Sequence, residues 1–268
     1  MLNKLVYAAI VLFWIGAMSW LVRHDVIPAL TARDVPSIKA EGWLEGEKRE
    51  SQARIEDKTG KRIGTIWSTH TAGRNGVSRS DVFLIERLPP LPRLRIQVDA
   101  DFTLDGELDE VLLEVDGIGK RIKLEGENMS GNLAFILWVG QRRQLFKIDA
   151  DAAGMLGDVF RPFPALPNIE VGQSWRMHVV NPLAAISGFG SKLIPMIVKV
   201  RARERLLTDQ GAVECFVVET DHGARAWVDA DGTVLRQEAD VPIGGRLTVV
   251  AEPFNAEFLQ ETLSLPLP

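Results

Sequence analysis

The sequence predicts a mainly β protein: an N-terminal single transmembrane helix followed by a curved antiparallel sheet or half-open barrel with one or two short helices. Three observations lead there. An uncharged run, LVYAAIVLFWIGAMSWLV, fills Leu5 to Val22. From Lys39 onward apolar and polar residues alternate in short runs, the period of strands with one dry and one wet face. Turn residues interrupt these runs at intervals of roughly 8–12 residues, the spacing of antiparallel hairpins. The chain of 268 residues is 46% apolar and 25% charged. That composition excludes a disordered tail and a disulfide-stapled miniprotein and supplies a sizeable core.

The first element is the apolar run. At about 1.5 Å per helical residue it covers a roughly 30 Å hydrocarbon layer. A cleaved secretory signal would end its apolar stretch sooner, at a small-x-small site. Ala17-Met18-Ser19 approaches one, yet Trp20, Leu21 and Val22 continue the run, which favours a retained signal anchor over residues 1–24. The usual direction of such anchors places Asp25 onward outside the cytoplasm, so the expected location is the cytoplasmic membrane, single-pass, with an extracytoplasmic domain. Residues 25–38 carry two prolines, Pro28 and Pro36, and mixed charge with no apolar period, and read as a tether. Residues 39–268 form the β-domain.

Within it, Ile122 and Leu124 alternate with Arg121, Lys123 and Glu125, and Trp175, Met177 and Val179 alternate with Arg176 and His178. Turns are read at Asp57-Lys58-Thr59-Gly60, Asp105-Gly106, Asp116-Gly117 and Asp231-Gly232, residues that tolerate positive φ. The pattern gives roughly a dozen strands in one continuous, strongly curved sheet. Proline clusters at Leu88–Pro92 and Arg161–Pro167 interrupt it, because proline lacks the amide donor that pairing requires. Helix signals are few: a short turn over Asp149–Leu156, and a start at Asn181-Pro182 that Gly188 and Gly190 end within about two turns.

Several chemistries are absent from the pattern. Without residues 1–24, which hold Lys4 and Arg23 and no acid, 29 basic residues face 36 acidic ones, a formal charge of −7. A domain that acidic is a poor nucleic-acid binder. His24, His70, His178 and His222 stand far apart, with no HExxH and no cysteine pair, so no metal site is expected. The Asp-Ala-Asp triplets at residues 99–101, 149–151 and 229–231 invite a calcium reading, but Gly232 follows Asp229 too closely for an EF-hand loop. GxSxG does not occur, and Gly188-Phe189-Gly190 lacks the third glycine of a phosphate cradle. Cys215, the single cysteine, sits in an apolar strand and reads as a core residue. No catalytic residue and no cofactor are expected.

Two features point to binding. A strand from Met196 to Leu206 sets Lys199, Arg201, Arg203 and Arg205 on one face, a basic row in an acidic domain suited to anionic head groups or an acidic partner, though equally a solvated face that discourages edge pairing. The glycine-hinged connection from Leu183 to Ile197 precedes that strand, either packing into the core or gating an apolar pocket.

The stretch Ala224–Glu238, in which Ala226-Trp227-Val228-Asp229 turns through Gly232 into Leu235-Arg236, resembles the hairpin of periplasmic lipoprotein-carrier proteins of the LolA/LolB type. Gly60-Lys61-Arg62-Ile63-Gly64 and Val171-Gly172-Gln173-Ser174-Trp175 are similar to elements of related periplasmic β-domains. The resemblance implies a half-open antiparallel barrel around short helices, with an apolar cavity that in the carriers holds acyl chains. The carriers are soluble or lipid-anchored, whereas this chain carries Leu5–Val22, so holding a ligand at the membrane fits better than ferrying one. The expected function is that of a membrane-tethered extracytoplasmic binding protein for a lipid or lipoprotein acyl chain. Leu183, Ile186, Phe189, Leu193 and Ile194 would line or cover the pocket, and Arg201, Arg203 and Arg205 would meet head groups. The alternative is a non-catalytic accessory subunit packed against another envelope protein.

Overall fold

The computed structural model describes residues 13–14, 16–20, 44–87, 93–117, 121–129, 132–149, 156–158, 163, 166, 168–180, 193–209, 211–241 and 245–264. The described residues form fifteen strands in one sheet, which is not closed into a barrel. The first eight are β1 (Lys48–Glu56), β2 (Arg62–Ala72), β3 (Gly76–Ile85), β4 (Leu94–Thr103), β5 (Leu108–Asp116), β6 (Ile122–Asn128), β7 (Asn132–Val139) and β8 (Arg142–Asp149). The rest are β9 (Leu156–Asp158), β10 (Ser174–Val180), β11 (Leu193–Thr208), β12 (Gly211–Thr220), β13 (Arg225–Val228), β14 (Val234–Val241) and β15 (Gly245–Glu252).

Spatial order runs from β8 down to β1, crosses to β15, and runs down to β9. Each half is thus a meander of neighbouring hairpins, and the halves meet where β1 pairs with β15, Ile55 opposite Val249. Pairing is antiparallel throughout except between β9 and β10, which are parallel. The alternation that marked the strands is realised as burial. Ile122 and Leu124 on β6, and Trp175, Met177 and Val179 on β10, point into the core, while Lys123 and Glu125 pair with each other at 2.6 Å.

One contiguous core, with Ile66, Phe83, Ile96, Leu113, Leu124 and Phe135 from the first half and Trp175, Val200, Val218 and Val249 from the second, covers a single face of the sheet. We call this the core face. Among the described residues outside the strands, the segment containing Phe163, Leu166 and Ile169 and the turn residue Ala224 add to it, so a face this dry requires the sheet to curl over itself, as long twisted sheets do. Gly126 leaves room on that face: a Cβ there would lie 2.6 Å from the Phe135 ring and 2.7 Å from Val111.

The expected turns close the hairpins, with φ near +80° at Gly60, Gly106 and Gly232 and +107° at Gly117. In the first, the Asp57 carboxylate accepts from the Thr59 and Lys61 amides at 2.8 and 3.1 Å. The helix expected over Asp149–Leu156 is corrected at both ends: Asp149 closes β8 and Leu156 opens β9. The Asn181-Pro182 helix and the Leu88–Pro92 cluster lie outside the described residues.

A helix the alternation did not announce, α1 (Ala256–Ser264), packs on the outer face of β2 and β3. Phe254, Phe258 and Leu259 cover Trp67, Val82 and Leu84, with Phe258 edge-on to Trp67 at 5.1 Å. Asn255 caps it by accepting from the Phe258 amide at 3.0 Å, and Arg95 donates to the Leu263 carbonyl at its other end at 3.0 Å.

Of the anchor and tether, residues 13–14 and 16–20 are described and helical, with Phe13 74% and Trp14 61% exposed. Among the described residues no helix is long and apolar enough to cross a membrane.

Candidate functional site

The site is built at one end of β11 and β12, and a bulge determines its character. Up to Val200 the strands pair in one register, with Lys199 opposite Glu219 and Val200 opposite Val218; past the bulge Ala202 faces Val217 and Arg203 faces Phe216. Because partners share a face, the extra residue at Arg201 sends the residues after it to the opposite side. The expected single basic row is therefore corrected. Lys199 and Arg201 belong to the outer face, where Arg201 donates to Glu219 at 3.1 Å. Arg203 and Arg205, opposite Phe216 and Glu214, follow Val218 onto the core side.

The consequence for Arg203 is specific. Its guanidinium carbon stands 4.6 Å from the centre of the Phe216 ring, a cation–π stack. No carboxylate pairs with it among the described residues, whereas Arg201 has Glu219 and Arg225 has Glu204 at 2.9 Å. Beside this stack lies a half-open cavity of about 280 Å³, lined by Leu166, Asn168, Ile169, Arg203, Glu214, Cys215, Phe216 and Ala230. Its apolar floor comes from the proline-rich segment, held across the sheet by two contacts. The Leu166 amide donates to the Gly232 carbonyl at 2.9 Å, and the buried Gln237 side chain bonds both the Phe163 amide (3.3 Å) and the Phe163 carbonyl (3.4 Å). Asn168 turns the chain at the cavity wall with φ +55°, the left-handed region that asparagine tolerates.

The remaining candidates divide. Leu193 and Ile194, expected in a gating loop, belong to β11, their backbones opposite Val180 and Val179 of β10, because the strand starts before the glycine-hinged stretch ends. Leu183, Ile186 and Phe189 lie outside the described residues. Cys215 is buried, as its apolar surroundings predicted; burial, reinforced by the charge of Asp229, raises its thiol pKa and opposes the thiolate that nucleophilic chemistry requires. Asp229 spends its carboxylate on its own turn, accepting from the Asp231 and Thr233 amides at 3.0 and 2.8 Å. Among the described residues no three His, Cys, Asp or Glu side chains converge as a metal site.

A second polar feature, on the core face of the other half, escaped the sequence reading. Ser68, His70, Arg79 and Asp81 are all at least nine-tenths buried, in two adjacent rows: Ser68 opposite Asp81, and His70 opposite Arg79. Arg79 Nε lies 2.8 Å from Asp81 Oδ2, but its N–H is misaligned, so the contact is an ion pair rather than a hydrogen bond. Burial of such a pair costs more than its Coulomb attraction returns unless other groups complete it. The available signal was β3 itself, Val77-Ser78-Arg79-Ser80-Asp81, where neither alternating set is apolar and the wet face cannot be chosen.

On the outer face of the second half, Trp227 is clasped by Arg225 and Arg236, whose guanidinium carbons stand 4.6 and 5.4 Å from its ring centre. Glu238 joins Arg236 to Arg246, at 2.7 and 2.8 Å. Burial opposes its ionisation, yet the two guanidiniums hold its carboxyl below the usual range. The Trp-Val-Asp and Leu-Arg stretches that carried the resemblance thus make a hairpin whose Trp and Arg stack on each other.

No family model and no curated protein matches the chain. Among solved structures it is similar to a DUF1089 family protein from Pseudomonas aeruginosa, at 12% identity and a TM-score of 0.41, over 63% of this chain and 87% of that one.

Proposed function

We propose that the protein is a membrane-tethered extracytoplasmic binding protein whose pocket takes a lipid or lipoprotein acyl chain ending in an anionic group. The observation that carries this reading is Arg203, a cation stacked on Phe216 without a carboxylate partner, at the rim of a cavity floored by Leu166 and Ile169. An apolar floor removes a hydrocarbon tail from water, and an uncommitted guanidinium recognises a carboxylate or phosphate through charge-assisted hydrogen bonds. At about 280 Å³ the cavity is at the lower end of ligand pockets, which run from roughly 300 Å³ upward. It suits one chain end with its head group rather than a whole multi-chain lipid. The uncharged run Leu5–Val22 and the exposure of Phe13 and Trp14 support the tether.

The test is photocrosslinking in membranes containing the full chain, with a diazirine fatty acid and the matching fatty alcohol. Adducts are expected on the peptides carrying Leu166, Ile169 and Phe216. Arg203→Gln is expected to cut labelling by the acid about tenfold, the loss of one charged hydrogen bond, and to leave labelling by the alcohol unchanged. Adducts confined to residues 5–22 would refute the pocket.

A further inference from the structure

We propose that the β7–β8 hairpin is a membrane-contact surface that lays the free edge of the sheet on the head groups of an anionic bilayer. β8 ends the sheet, and its pairing with β7 sets Leu145 opposite Ile136, Arg143 opposite Trp138, and Lys147 opposite Ala134. These six residues share the outer face. Leu145 is 69% exposed in the middle of the strand, Ile136 and Trp138 are half-buried beside it, and Arg143 and Lys147 are exposed on either side of it, whereas Arg142, opposite Val139, belongs to the core face.

Neither of these two cations has an ion-pair contact among the described residues, and Arg143 contacts the Trp138 ring at 5.3 Å. Of the outer-face carboxylates on β6, Glu125 is paired with Lys123 at 2.6 Å, and Glu127 shares the row of Lys147 through Ala134 without an ion pair to it among the described residues. Charges on an edge strand do discourage pairing with another sheet. That role does not explain a leucine held out in water between them, nor a tryptophan under an arginine. Basic, aromatic and leucine side chains on one surface are what the interfacial layer of an anionic membrane accommodates, with cations at the phosphates and apolar groups just below.

Charge along the outer face adds a direction. Two to four strands inward, Asp101, Glu110 and Glu127 stand opposite one another on β4, β5 and β6, a row that an anionic surface repels. The edge turns toward the bilayer and the acidic strands turn away. Two cations near such a surface raise occupancy of the contact on the order of 30-fold.

This inference rests on the tethered reading, and the test separates the two. The full chain is reconstituted into vesicles of phosphatidylcholine with or without phosphatidylglycerol, carrying an environment-sensitive NBD label at Leu145→Cys or, as a distal control, at Glu110→Cys; Cys215 is buried and stays unlabelled. In vesicles with phosphatidylglycerol, the label at position 145 is expected to shift to the blue and be quenched by nitroxide lipids. The label at position 110 is expected to do neither. Arg143→Glu and Lys147→Glu together are expected to abolish the response. If the chain floats with the vesicles while both labels stay equally wet, the contact is refuted and the tether stands. Failure to float refutes both.

Discussion

The two halves of the sheet are built alike and filled differently. Each is a run of neighbouring hairpins that buries one face in a shared core. In β1–β8 the polar exception is inside, where Arg79 and Asp81 lie against each other in an apolar wall. In β9–β15 the inner wall carries an uncharged polar group, Gln237 against Phe163, among side chains such as Trp175, Met177 and Val200 that are fully buried. There the charged groups stay at the rim, as Arg203 does, or outside, as the Arg236–Glu238–Arg246 network does. The same architecture therefore carries a buried ion pair in one half and a cation exposed to an apolar cavity in the other. Charge placement, more than strand layout, separates a wall that is structurally committed from one that is open to a ligand.

Three substitutions probe that difference, from the largest effect to the smallest. Arg79→Met removes the countercharge of the buried Asp81 carboxylate and is expected to cost about 3–5 kcal/mol in urea unfolding. Arg79→Met with Asp81→Leu removes both charges and is expected to restore wild-type stability or exceed it. A double variant as unstable as the single one would show that the pair does more than compensate itself. Gln237→Leu, in the second half, deprives the Phe163 amide and carbonyl of their partner and is expected to cost about 1–3 kcal/mol. The same variant is expected to weaken acyl-probe labelling at Leu166, because the proline-rich segment then loses one of its two holds on the sheet.

Glu238→Gln is expected to have the smallest effect, visible only through pH. The folded carboxyl is held below its ordinary value, so its stabilisation is complete above about pH 4.3, the unfolded value, and is lost as pH falls through the folded one. The wild type is therefore expected to lose stability more steeply than Glu238→Gln in acid. Superimposable curves below that pH would remove the network from the account of the second half.

What could be read beforehand follows from the same contrast. Strands such as β6 and β10 were legible because Ile122, Leu124, Trp175, Met177 and Val179 recur every second residue, and a buried face enforces that period. The turns were legible because an Asp-Gly pair needs no tertiary context. The bulge at Arg201 was not, since Lys199, Arg201, Arg203 and Arg205 alternate without a break and nothing local marks where the register slips. β3 hid its core face behind Arg79 and Asp81. Helix α1 left a faint trace, an Asn255 cap with Phe258, Leu259 and Thr262 at helical spacing, which a reader tuned to period two passes over. The cavity depends on a segment reaching across to Gly232 and Gln237, contacts that no local pattern contains.

The sheet order has a kinetic side. Every antiparallel pairing but one joins strands consecutive in sequence, and each such hairpin can form in about microseconds. The exception is the seam, where Gln52 of β1 donates to Glu252 of β15 across 200 residues at 2.7 Å. A chain emerging from the ribosome can assemble its first eight strands early, yet β1 waits with a bare edge until the last strand arrives. Loops that long close slowly, and an unpaired edge invites the wrong neighbour. The two halves then dock as late, largely preformed pieces, and the short strand Lys48–Glu56 becomes the place where synthesis rate and chaperone cover decide the yield of folded protein.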